Sequence, residues 1–277
     1  MKFKKLLFGT AGIPVCLTDR SSEKGVEKVH ELGLDCMELE FVRGVHTSKQ
    51  STEPVREAAQ KNKVVLTAHA PYYVNLNSDE PQKIGASRSR ILQTANIAKL
   101  CGAFSITFHA AFYMKQQPEK VYENVKAQLK KVVDTLKEEG NDIEIRPELT
   151  GKPTQWGDLP ELIKVSQELD QVLPCVDFAH YHARYSGKHN SYEYYRKALE
   201  QLEAGLGREI LDNMHIHISG INYTAKGERS HLNLSESDLK YTDILKAWKE
   251  FDIKGVVISE SPSIEGDALL LQKLYNK

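Results

Sequence analysis

Residues 121–149 read VYENVKAQLKKVVDTLKEEGNDIEIRPEL. Val121, Val125, Leu129, Val132, Val133 and Leu136 recur at helical spacing, so they share one face of a helix. The pattern stops at Gly140-Asn141, a pair suited to a helix C-terminus. A short apolar run, 143–149, follows and carries an acid, Glu148, near its far end. That run is too short for another helix and reads as a buried strand. Helix, glycine turn, strand, then an ionisable residue at the strand's end is the unit to seek elsewhere.

The unit recurs along the whole chain. Strands are expected at 6–10, 36–41, 64–69, 105–109, 143–149, 172–177, 214–219 and 255–259. Further helical patterns occupy 87–101, 159–169, 192–206, 239–251 and 267–275. No low-complexity linker or change of composition interrupts the alternation, which implies one parallel α/β domain over residues 1–277. A doubly wound sheet gathers its site at one switch point. Here ionisable residues sit at the same end of nearly every strand, and the strand count matches a single (β/α)8 TIM barrel.

Bulk properties agree. A chain of 277 residues suits one barrel and buries a large core without staples. Lys plus Arg number 37 and Asp plus Glu 38, for a net charge of −1. A polyanion would therefore be drawn by local charge or by bound cations, not by a global basic field. Cys16, Cys36, Cys101 and Cys175 are scattered without a Cys-x-x-Cys pair and read as reduced, which suits a cytoplasmic protein. The start resembles a signal peptide, but Gly9, Gly12 and Pro14 interrupt its apolar stretch, and a first barrel strand explains it better. No apolar run is long enough for a membrane span. The expectation is a monomer.

The strand ends carry the chemistry. His69 ends the third strand and His109 the fourth; Glu148 lies on the fifth and Asp177 ends the sixth, with His180 three residues on. His217 lies on the seventh strand, His231 in the loop after it, and Glu260 follows the eighth. Chain direction brings all of these to the C-terminal mouth of a barrel. Imidazole and carboxylate together suit zinc, and to a lesser degree manganese or iron. Two cations about 3.5–4 Å apart can steady both the attacking and the leaving oxygen of a phosphoryl group. One strand-end histidine is more often a hydrogen-bonded rim residue than a ligand, and His30, His46 and His189 are read that way. Six strand ends of ligand type are another matter. His215 shares a strand face with His217 and is read as a supporting or core residue, while His182 is ambiguous beside His180. Glu38 and Glu40 share a face of the second strand and point inward if Met37, Leu39 and Phe41 pack on the helices. Either could join the site or pair with Arg146 or Arg43.

These residues resemble the endonuclease IV family of metal-dependent abasic-site nucleases, within the xylose isomerase-like barrels, over essentially the whole chain. His69-Ala-Pro-Tyr72-Tyr73-Val-Asn75-Leu76 is similar to the family's His-x-Ser-Tyr-Leu-x-Asn-Leu. Phe108-His109 resembles its His-Pro-Gly segment, with Ala110 and Ala111 in place of Pro and Gly. Glu148-Leu-Thr150-Gly151 resembles Glu-Asn-Thr-Ala-Gly, and Cys175-Val-Asp177-Phe-Ala-His180 matches Cys-x-Asp-x-x-His, the most specific of the set. The resemblance implies that His69, His109 and Glu148 bind one zinc. It implies that Glu148, Asp177, His217 and Glu260 bind a second, and that His180 and His231 serve a third. The implied reaction is hydrolysis of the phosphodiester 5′ to an abasic site in damaged double-stranded DNA, with Glu148 and Glu260 as the catalytic carboxylates. Two departures stand out. The family's Asp-x-His is matched by Arg229-Ser230-His231, so a ligand is missing unless Glu228, one residue away, replaces it; otherwise Arg229 sets a fixed positive charge there. The family's Asn-Asp after the seventh-strand histidine is replaced by Ile218-Ser219-Gly220.

Tyr72 and Tyr73 follow a ligand in a rim loop and could stack against bases, at about 1–3 kcal/mol each. Arg43, Lys49, Lys115, Arg184, Lys188, Lys226 and Arg229 fall in loops at the same end and could line a phosphate track. The alternative is a sugar-phosphate isomerase or epimerase on the same barrel, using one metal and acid/base groups beside a keto-sugar carbon. Glu38 and Glu40 favour that reading. A third class, a metal-retaining binder that does not cut, is permitted by the altered triplet and opposed by the intact two-metal set.

Overall fold

The computed structural model describes residues 3–42, 44–45 and 49–277, the side chain of Lys49 excepted. Arg43 and His46 therefore lie outside the described residues, as does the side chain of Lys49. Eight parallel strands form one curled sheet. They are β1 (Leu6–Ala11), β2 (Cys36–Glu40), β3 (Val65–His69), β4 (Ser105–Phe108), β5 (Glu144–Pro147), β6 (Val176–Asp177), β7 (Met214–Ile218) and β8 (Gly255–Ser259). Spatial order follows chain order, and β8 lies against β1. Between β5 and β6 the ladder is reduced to two parallel bridges, Ile145 to Val172 and Glu148 to Cys175. Backbone bonds such as Cys175 N–H to the Pro147 carbonyl, 3.1 Å, carry this seam. The chain is a TIM barrel, as its strand pattern implies.

Every barrel strand is followed by helix. The expected helix α4 runs Pro118–Glu138 and buries Val121, Tyr122, Val125, Leu129, Val132, Val133 and Leu136. Each of its fully buried aliphatic side chains contributes about 1.5–3 kcal/mol. Gly140, at φ +69°, takes the left-handed turn beyond that helix. Among the described residues four helices fall outside the expected patterns: α1 (Ser22–Glu31), α2 (Lys49–Asn62) and the short Phe178–Arg184 and Arg208–Leu211. Others start earlier than their apolar pattern: α3 spans Pro81–Cys101, and the last helix, α10, spans Ile264–Tyr275. Their first turns, Pro81-Gln82-Lys83-Ile84 and Ile264-Glu265-Gly266-Asp267, carry one isoleucine each, too little to mark an apolar stripe.

The barrel interior is polar in tiers. At the bottom, Arg146 is fully buried and donates to the Glu144 carboxylate at 3.0 Å and to the Pro174 carbonyl at 3.0 Å. In the middle, Glu38 meets Thr67 and His215. Of the alternatives open to Glu38, pairing with Arg146 does not form, because Arg146 is occupied by Glu144 one tier below. The top tier is the mouth, where the ligand-type side chains gather. Strand alternation makes these tiers, since inward residues recur every second position: Arg146 lies under Glu148, and His215 under His217.

Candidate metal centre

Glu148 is the hub of the mouth. Its Oε2 lies 3.4 Å from His69 Nε2 and 3.3 Å from His109 Nε2, and its Oε1 lies 3.0 Å from His180 Nδ1 and 3.5 Å from His217 Nδ1. Glu260 Oε1 is 3.5 Å from His217 Nδ1. Four groups among the described residues have ligand atoms within 4.8 Å of one another: His69, His109, Glu148; Glu148, Asp177, His217, Glu260; His180, Glu228, His231; and, below the mouth, Cys175, His215, His217; the first three are the clusters of the mouth. Every candidate ligand read from the sequence is in one of them. Glu148 belongs to two.

Local structure sets the nitrogen each imidazole presents. His69 Nδ1 lies 2.7 Å from the Ala70 carbonyl, His180 Nδ1 3.0 Å from that of Leu149, and His231 Nδ1 3.2 Å from that of Glu260. A proton held on Nδ1 leaves the Nε2 lone pair free to ligate. The Asp-x-x-His spacing has a helical cause. Asp177 is the N-cap of the short helix α6 (Phe178–Arg184) and accepts from the His180 backbone N–H at 2.7 Å. That turn swings the His180 ring back over Glu148.

The third cluster settles the place of the missing acid. His180 Nε2 lies 3.4 Å from Glu228 Oε2. Residues Gly220–Thr224 and Gly227–Leu232 form a hairpin against α6. In it Asn222 pairs with Ser230 and Tyr223 with Glu228, which leaves Arg229 as the extra residue of a bulge. The bulge puts Glu228 and His231 on one face and turns Arg229 out to solvent. Arg229 therefore does not occupy the third cluster. Gly151 makes the room, because a Cβ there would meet Glu228 Cβ at 2.7 Å and His180 Cδ2 at 2.8 Å.

The buried atoms suit cations. Both Glu148 oxygens, Asp177 Oδ2, His180 Nε2, His217 Nδ1 and Glu260 Oε2 are buried without a hydrogen-bond partner. Such groups are costly to leave unpaired, and these are the donor atoms a zinc-type ion takes. Protonation reflects the crowding. Burial pulls the His69 imidazole down, but Glu148 and the neighbouring acids outweigh it and lift the pKa to about 10. Burial, with Glu260 and Glu148 adding, pushes Asp177 up to about 6 against the pull of His180. Burial also opposes ionisation of Glu260, yet the His217 charge brings it down to about 2.

The mouth opens on a cavity of about 290 Å³ lined by His69, Tyr72, His109, Glu148, Lys152, Gln155, His180, Glu228, His231 and Glu260. Lys152 and Gln155 carried no signal in the sequence; they follow Glu148 in a loop and reach the site only by its course. Tyr72 is exposed and stands edge-on to His69, ring centres 5.8 Å apart. Partial burial and the surrounding carboxylates push its phenol up to about 12. Tyr73 is 71% exposed, so its ring is free to meet a ligand. Two grooves adjoin: one of about 900 Å³ holds Lys226 and Arg229, and one of about 550 Å³ holds Lys115. Lys188 is exposed but lines none of these openings. Arg184 departs from the expected phosphate track. It is buried, and its Nη1 donates to the carbonyls of Thr150, Lys152 and Gln155 and to Thr150 Oγ1. It is used to hold the loop after Glu148. His182 pairs with Asp238 at 2.9 Å, away from the clusters.

Fold and site together define a β/α barrel with adjoining clusters of ligand-type side chains, able to hold cations, at the C-terminal ends of its strands. The chain belongs to the xylose isomerase-like TIM barrel family, whose profile matches residues 26–274. It is 43% identical over 272 residues to an uncharacterized protein of Methanocaldococcus jannaschii, covering 98% of this chain and 97% of that one. It is 26% identical over 203 residues to a probable endonuclease 4 of Mycoplasma genitalium, covering 72% and 67%. Among solved structures, a D-tagatose 3-epimerase-like protein superposes with TM-score 0.73 at 19% identity, covering 98% and 96%. The endonuclease IV of Thermus thermophilus superposes with TM-score 0.70 at 16% identity, covering 97% and 99%. Nuclease and epimerase share the backbone equally, so the side chains at the mouth must distinguish them.

Proposed function

We propose that this chain is a metal-dependent phosphodiester hydrolase that cleaves DNA 5′ to abasic sites. One observation carries the reading: three clusters with the donor atoms and spacing to hold a cation share one mouth, and Glu148 belongs to two of them. A sugar isomerase needs one metal and an accessible acid or base beside the sugar carbon. Of the two acids that favour that alternative, Glu38 is fully buried under the ligands and cannot touch a substrate. Glu40 is exposed at the rim and keeps the isomerase as the second reading.

His69, His109 and Glu148 would hold one cation; Glu148, Asp177, His217 and Glu260 a second; His180, Glu228 and His231 a third. Zinc fits the donor set, and manganese is the next candidate. Bound there, such ions polarise a phosphoryl oxygen and neutralise charge as the P–O bond breaks. The chain's own groups do the rest. Lys152 can pair with a non-bridging phosphate oxygen at the cavity wall. Glu260, held ionised, offers Oε2 as an acceptor that orients an attacking water. Tyr72 keeps its proton at neutral pH and can donate to a phosphate oxygen, while its ring and that of Tyr73 offer stacking surface to an unpaired base. The leaving group is the 3′-hydroxyl of the upstream nucleotide.

The test incubates the pure protein with duplex DNA bearing one abasic site, with and without chelator, and counts bound metals. Chelator-sensitive incision with more than one metal per chain is expected. No incision, with a single metal per chain, overturns the reading in favour of an isomerase or epimerase.

A further inference from the structure

His217 differs from three other imidazoles of the mouth. His69, His180 and His231 each have one nitrogen held by a backbone carbonyl. His217 instead turns its Nδ1 to Glu148 and Glu260, 3.5 Å from each, and its Nε2 to a buried carboxylate, Glu38 Oε1, at 2.9 Å. That approach lies off the angle of a full hydrogen bond. The other Glu38 oxygen is fixed. Thr67 Oγ1 donates to it at 2.7 Å and His215 Nε2 at 2.9 Å, and Ser105 Oγ lies 3.1 Å from His215 Nδ1. Glu38, Thr67, Ser105, His215 and His217 are all fully buried. The network thus spans β2, β3, β4 and β7 beneath the clusters.

We propose that Glu38 is a positioning residue: it fixes His217 with Nε2 protonated and Nδ1 open toward Glu148 and Glu260, and so sets the cation affinity of that cluster. The proposal rests on the metal reading above. A carboxylate behind a ligating imidazole orients the ring and raises its basicity, and loss of such a partner lowers metal affinity about 10–100-fold. Period-two alternation placed Glu38 inside the barrel but could not name its partner.

The experiment uses the full chain and two variants, Glu38→Gln and Ser105→Ala. Ser105 touches His215 and not His217, so its variant perturbs the same buried tier without removing the contact at issue. Cobalt(II) and zinc affinities are measured by competition with a chromophoric chelator, the cobalt spectrum is recorded, and long-range 15N–1H correlations report the His217 tautomer. Glu38→Gln is expected to keep its metal-free melting temperature within a few degrees, to bind the metals about 10–100-fold more weakly, and to shift the cobalt spectrum. Ser105→Ala is expected to match the parent. Parent-like affinity and spectrum in Glu38→Gln, or an equal loss in Ser105→Ala, overturn the proposal and leave the metal reading intact. A parent chain that binds neither metal overturns both. Should Glu38→Gln not fold, the zinc-loaded parent decides alone: a His217 that carries its proton on Nδ1, or none on Nε2, with zinc bound overturns the assignment.

Discussion

Gly151 shows how one missing carbon shapes the mouth. A side chain there would strike Glu228 and His180 together, so the third cluster exists only because residue 151 has none. Gly151→Ala is expected to lose the third cation while the Glu148-centred pair is retained, read as one metal fewer by elemental analysis. An unchanged count would show that the hairpin yields. The charged groups predict a pH dependence. Cations need ligands without protons. His69 stays protonated up to about pH 10 and Asp177 up to about pH 6 in the cation-free site. Cation affinity should therefore strengthen as pH rises from 5 to 9, most steeply below 6, where Asp177 must also lose a proton. Calorimetry in two buffers of different ionisation enthalpy would show proton release on binding; affinity flat across that range would refute the assignment. At this scale the sequence was informative, because His69, His109, Glu148, Asp177, His217 and Glu260 each lie within one residue of a strand's C-terminal end. Lys152 was not legible, since a lysine in a loop says nothing of where the loop leads.

At the scale of elements, two short pieces decide more than their length suggests. The helix α6 turns Asp-x-x-His into a cap and a swung-back ring. It also buries Arg184, which in an open loop would have been a plausible phosphate ligand. The hairpin after β7 carries the bulge at Arg229. Reading every second residue from His231 selects Arg229; the bulge absorbs that residue and selects Glu228. Stripped of Arg229, the segment reads acid-x-His. Deletion of Arg229 is accordingly expected to preserve the metal count and the third cluster, because a regular ladder keeps Glu228 and His231 on one face. Loss of that cation on deletion would mean that the bulge itself aims Glu228. Register is a relation between two strands, so one strand's alternation could not reveal it.

For the whole molecule, the clusters draw on the ends of β3 through β8, including the weak seam where only two bridges join β5 to β6. Cations held there, as proposed, would tie six strands together and relieve repulsion among buried carboxylates. At a free concentration 1,000 times its Kd, one bound ion adds about 4 kcal/mol to stability. In a chain of this size that corresponds to a melting temperature higher by on the order of 10 °C. Chelator should lower the melting temperature of metal-loaded protein by that amount, followed by circular dichroism; identical melts would place the ions outside the barrel's mouth. What the sequence determined by itself was the barrel and the end of it that carries chemistry. Helical spacing, strand alternation and chain direction are local properties, and they suffice to align ligand-type residues at one rim. What only the tertiary structure decided was who meets whom: Glu228 instead of Arg229 beside His231, Glu38 behind His217 instead of against Arg146, Arg184 inside instead of on the phosphate track. Those outcomes depend on a bulge's register and on contacts across the barrel between residues far apart in the chain, and no periodicity within one segment encodes them.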